Sequence, residues 1–170
     1  NLCHTTHDAA WADRWVREWR SRDYQAPILA RARLIDSARR GNWTGLPDML
    51  AYLQKPDRDE VYAASLVRLL RGCEDSRKWP ALVRALQDAS PLVRAASAEA
   101  LDGHITSDSL PALLKATRDE YRLVRVRAAA ALAAAWRLNL AAEDRHSLEA
   151  ATAEFLEAMR CRPDDPPSHY

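Results

Sequence analysis

The chain has 170 residues and a net charge of +1, so nothing global pulls it toward nucleic acid or an anionic membrane. Hydrophobic residues make up 48% and charged residues 29%, the balance of a globular domain long enough to bury one core. The longest uncharged apolar run, Ala128 to Trp136, is too short to cross a membrane.

Alanine is abundant while glycine occurs four times and phenylalanine once, so helix is favoured throughout. Asn1 stands where a start methionine would and no leader is visible, so a processed chain or an excised segment is expected. Thr6 or Asp8 caps a first expected helix running to about Arg20. Trp11, Trp15 and Trp19 stand one above another on it, opposite Asp13, Arg14, Arg17 and Arg20. Such a stripe suits a core face, or a flat apolar wall over a planar cofactor or a partner domain. Pro27 lies in the first turn of a second helix that runs to about Arg40, and Gly41-Asn42 ends it.

Three stretches then repeat one another, each opened by an apolar residue and a proline: Leu46-Pro47, Trp79-Pro80 and Leu110-Pro111. The prolines recur at spacings of 33 and 31 residues. Val61, Val93 and Val124 lead the second segments, each followed eight residues later by Leu69, Leu101 or Leu132. A period near thirty marks stacked helix pairs, none of which buries its apolar face alone. The expected helices are 45–54 with 58–71, 77–88 with 91–102, and 108–118 with 121–137. A last helix over 143–160 carries Leu148, Ala151, Phe155, Leu156 and Met159 for one buried face. Residues 162–170 are turn-rich, and no strand-like alternation appears, so the fold class is all-α.

Asp88-x4-Val93-Arg94-x-Ala96 and Asp119-x4-Val124-Arg125, behind Leu-Pro helix openings, resemble HEAT repeats over about residues 43–137. The resemblance implies an α-solenoid of HEAT-like helix pairs, a right-handed superhelix whose second helices line the concave side. An aspartate at the joint can cap the next helix, and the arginine can reach an aspartate of its own or a neighbouring unit. The first unit departs: Pro56 stands where the aspartate belongs and Tyr62 where the arginine belongs, which makes it the weak end of the ladder.

Glu149-Ala150-x4-Phe155-x2-Ala158-Met159-x3-Pro163-Asp164-Asp165-Pro166 resembles the second helix of a tetratricopeptide repeat with its joint. At the other end, Cys3-His4 is the second half of Cys-x-x-Cys-His, the attachment motif of c-type haem. Taken in order, the three segments resemble a bacterial multihaem cytochrome c of the cytochrome c554-like kind. That resemblance implies a periplasmic electron-transfer parent in which Cys3 carries one thioether and His4 ligates iron. The first cysteine of the motif is not in the chain, so haem c is expected of the parent and no cofactor of this segment.

No Gly-rich phosphate loop, nucleophile elbow or His-Glu-x-x-His motif occurs, and paired acids such as Asp57/Asp59 fall at helix starts, where capping explains them. No basic stripe points to nucleic acid. His7 follows His4 closely enough to share a metal with Cys3, whereas His104, His146 and His169 read as surface or turn residues. Cys3, Cys73 and Cys161 have no framework spacing, and Cys73 reads as a small buried hydrophobe. With Val93, Ser97, Ala100 and Leu101 facing the core, Ala95, Ala98, Glu99 and Asp102 face outward, as do Val126, Ala129, Ala130 and Ala133 in the third unit. In the first unit the outward set is Ala63, Leu66, Val67 and Leu70. So apolar a surface is covered by neighbouring helices, by absent parent domains, or by a partner. The expected organisation is a helical pair over 1–42, three repeats over 43–138, and a tetratricopeptide-like end over 139–170. The expected function is a non-catalytic scaffold, with Ala63, Val67, Ala95, Ala98, Glu99, Val126 and Ala129 facing a protein partner or parent domains.

Overall fold

The computed structural model describes residues 5–20, 25–133 and 137–161. Among them are helices α1 (Ala9–Trp19), α2 (Ala26–Arg39), α3 (Leu46–Leu53), α4 (Glu60–Leu69), α5 (Lys78–Ala85), α6 (Pro91–Ala100), α7 (Ser109–Ala116), α8 (Arg122–Ala131) and α9 (Ala142–Arg160). A 3-10 turn, Leu70–Gly72, extends α4, and no described residue is in a strand. The chain divides into two compact units, Asn1–Arg33 and Leu34–Tyr170, so the division falls inside α2.

In the first unit, Asp8 caps α1 by accepting from the Trp11 amide at 2.8 Å. The tryptophans do stand in a row: Trp11 meets Trp15 edge-on at 6.3 Å, and Trp15 meets Trp19 tilted at 6.0 Å. No residue of α1 is buried, and Trp19 is largely exposed.

In the second unit, the C-terminal half of α2 belongs to the repeats, with Ala38 in the core and Leu34 and Ile35 against it. Gly41 stops α2 in the left-handed region, at φ 68°. Each pair then packs its first helix on its second, and the second helices also pack on one another: α4 on α6, α6 on α8, and α8 on α9. The alanines of α6 make this possible, because Ala95, Ala96, Ala98 and Ala100 let helices approach from several sides and are all buried. Leu46, Met49, Leu66, Leu70, Leu82, Leu101, Leu113 and Leu132 run through the stack as one continuous core. Each such side chain contributes about 2–3 kcal/mol on leaving water.

Helix starts at Glu60, Pro91 and Arg122 set a uniform period of 31 residues for the second helices. This register corrects the sequence alignment by one residue in the first unit. The partners of Val93 and Val124 are Tyr62, not Val61, and those of Leu101 and Leu132 are Leu70, not Leu69. The joint aspartate of the first unit is therefore Asp57 rather than a position lost to Pro56, and the arginine's place is held by Ala63. The slip arose because the first unit has two extra residues between its proline and its joint aspartate.

Candidate interaction surface

The joints are the best-organised polar feature of the stack. Arg94 points its Nη1 at its own joint, donating to the carbonyls of Asp88 at 2.8 Å and Ala89 at 3.0 Å. Its Nε and Nη2 donate to Asp119 of the next unit at 2.7 and 2.9 Å. Arg125 repeats the arrangement one unit on, with Nη1 on the carbonyls of Asp119 and Glu120 and Nε and Nη2 on Glu154 of α9 at 3.0 Å. Each joint aspartate also closes a turn by accepting from the amide two residues on, Asp88 from Ser90 and Asp119 from Tyr121, both at 2.9 Å. Ser90 and Tyr121 are themselves the N-cap residues, so the side-chain cap expected for α6 and α8 is not made. The first rung is not missing, because Arg58 supplies the guanidinium to Asp88 from the joint itself. Ser90 and Glu60 add a hydrogen bond between the same two units.

Burial raises the Asp119 pKa, but the hydrogen bonds from Arg94 and the Tyr121 amide outweigh it and hold the carboxyl below its ordinary value. The hydrogen bond to Asp119 raises the Arg94 pKa in turn.

The outward face expected from sequence is mostly inside. Ala63, Val67, Ala95, Ala98 and Ala129 are all buried, as are Leu66 and Leu70, because each second helix packs on the second helices of its neighbours. Of the seven residues expected to face a partner, Glu99 and Val126 keep partial exposure. Ser97, Val93, Ala100 and Leu101 are buried as expected, with Ser97 donating to the Leu82 carbonyl. Glu99 lies between Arg68 and Arg127, at 3.7 and 3.8 Å, and Arg71 meets Asp102 at 3.2 Å. The open side of the second helices is thus a row of arginines and acids that neutralise one another.

An apolar ridge borders that row. Val61, Leu92 and Leu123 occupy the second position of α4, α6 and α8 and are 59%, 37% and 43% exposed. Arg68 and Glu99 follow Val61 and Leu92 by seven residues, two helical turns along the same face. Beside Leu123, Tyr121 is exposed under the Arg94 guanidinium, 5.5 Å from its ring. The pattern of leading valines hides the ridge, because it equates the exposed Val61 with the buried Val93 and Val124. Its signal was the 31-residue spacing of positions 61, 92 and 123.

Other sequence candidates fall elsewhere. Cys3 and His4 lie outside the described residues, as does His169. His7 stacks on Trp11 with ring centres 4.1 Å apart. His104 is half-buried, stacked on Trp79 at 3.5 Å, and His146 is exposed. Cys73 is buried and Cys161 exposed. Among the described residues no cluster of histidine, cysteine or acidic side chains could hold a metal ion, and no helix is long and apolar enough to cross a membrane.

The family model described as HEAT repeats matches residues 46–133. Curated proteins and solved structures yield no match. The match covers more than half of the chain and spans the stacked pairs with their Arg94–Asp119 rung; the chain belongs to the HEAT-repeat family.

Proposed function

We propose that the chain is a non-catalytic scaffold that binds a protein partner along the ridge of Val61, Leu92 and Leu123. The observation that carries this reading is the recurrence of exposed large apolar residues at one position of three successive second helices. Exposed apolar side chains scattered singly need no explanation; a regular line of them beside a neutralised charged row is suited to a long apolar partner segment. Arg68, Glu99 and Arg127 would form the polar rim, with Val126 beside them.

A photo-crosslinking residue at position 92 or 123 tests this directly. Both positions should trap the same discrete partner, and position 107, on an exposed loop, should trap none. Leu92→Asp and Leu123→Asp should each reduce recovery of that partner about tenfold or more while leaving helicity unchanged. An acid in the first turn favours the helix, and unchanged helicity in each variant separates lost binding from a lost fold. Equal crosslinking at positions 92, 123 and 107 would overturn the reading.

A further inference from the structure

Away from the ridge, a groove of about 490 Å³ opens between the C-terminal end of α8 and α9. Its walls are apolar, with Ala129, Leu132, Leu140, Leu148, Phe155 and Leu156. Two charged side chains line it, Arg145 and Glu149, one helical turn apart on α9. Arg145 donates to the Leu138 carbonyl at 3.3 Å, as Arg94 and Arg125 do to the carbonyls of their own joints. Unlike them it has no carboxylate partner among the described residues, and Glu149 has no cationic partner there.

Arg145, Glu149, Thr152 and Leu156 follow one another at spacings of four, three and four residues, the spacing of a coiled-coil seam. Leu156 is 48% exposed and Leu138, just before the helix, 40%. A basic and an acidic residue one turn apart are complementary to themselves under a two-fold axis. An antiparallel copy of the same helix sets Arg145 against the second copy's Glu149, and Glu149 against the second copy's Arg145. With the axis level with Ser147, the same operation brings Leu156 to the Leu138–Leu140 end of the second copy's groove.

We infer that this groove is an isologous dimer interface, in which a second copy of the chain packs its α9 antiparallel on the first. Two ion pairs related by the axis set the register, and the two copies of Leu156 close the grooves. The apolar walls supply the association and the charges supply its direction.

Sedimentation of the full 170-residue chain across a concentration series tests the inference. The expected result is a monomer–dimer equilibrium. Arg145→Glu and Glu149→Arg should each weaken it about tenfold or more by placing like charges together, and the double exchange should restore it to within roughly threefold. Leu156→Asp should also abolish the dimer with no loss of helicity, since that side chain is half exposed. Leu92→Asp, on the ridge, should leave it unchanged, so failure here and failure of the ridge reading are separate outcomes. A chain that stays monomeric throughout would overturn the inference. So would a dimer indifferent to Arg145→Glu and Leu156→Asp, or a double exchange that restores nothing.

Discussion

Arg94 and Asp119 hold the second and third repeats together through a two-pronged contact, Nε to Oδ2 at 2.7 Å and Nη2 to Oδ1 at 2.9 Å. Both side chains are nearly buried, and the remaining Nη1 is spent on two carbonyls of Arg94's own joint. One guanidinium therefore ties the joint of one unit to the joint of the next. Arg94→Ala leaves the Asp119 carboxylate short of its charged partner and two carbonyls without a donor. The expected loss is about 2–4 kcal/mol in urea unfolding. Arg94→Lys should recover less than half of it, because a point charge cannot make the fork. If the Arg94→Ala and Asp119→Ala losses simply add in the double variant, the rung is not a coupled pair.

The same contact sets an acid dependence. Asp119 titrates below its ordinary value in the folded chain, so in the window between that lowered value and about pH 4 the unfolded chain binds more protons. Stability from this group is fully present above about pH 4 and is lost as pH falls through the folded value. Asp119→Asn should flatten that part of the curve when unfolding midpoints are compared from about pH 5 downward. An acid limb of unchanged steepness in the variant would assign the dependence to other carboxylates.

The helix order, the joint chemistry and the all-α class were legible because they depend on residues close in sequence. Leu-Pro openings and the Asp-to-Arg spacing are local signals, and the helices they announce are present. Which face of a second helix meets solvent was not local. In α6, alanine stands on nearly every side, so the sequence has too little contrast to separate a face against the first helix from faces against α4 and α8. The exposed ridge is hidden for a different reason: two extra residues between the first repeat's proline and its joint aspartate shift the apparent register by one. The pairing of Arg58 with Asp88 was hidden as well, since it replaces a helical arginine with one from the joint.

The register makes a sharp prediction about two valines that the sequence pattern treats as equivalents. Val61 is mostly exposed, while Val124 is fully buried among the third pair and its neighbours. Val61→Ala should change stability by less than about 0.5 kcal/mol. Val124→Ala should cost roughly 2 kcal/mol, from lost burial and the cavity left behind. Chemical denaturation of the two variants side by side measures this. Equal losses would mean that Val61 and Val124 do occupy the same position, and that the 31-residue register is wrong.

Lys78 is buried at the start of α5, where its ammonium closes the end of the preceding helix. Nζ donates to the carbonyls of Leu70 at 3.1 Å, Arg71 at 3.3 Å and Cys73, and lies 4.2 Å from the centre of the Trp79 ring. These carbonyls belong to the 3-10 turn after α4 and the residue that follows it, and that of Leu70 also accepts from the Cys73 amide at 3.0 Å. Burial lowers the Lys78 pKa below the usual 10.5. Between the lowered value and about 10.5 the unfolded chain binds more protons, so stability from this group rises with pH across that window. Lys78→Met keeps most of the side-chain volume but removes every donor. It should cost about 1–3 kcal/mol near neutral pH and lose the alkaline rise relative to the parent chain. Thermal unfolding from about pH 7 to pH 10 reads both effects at once. A variant as stable as the parent would show that the three carbonyls need no cap, and that the charge is held there at no benefit to the fold.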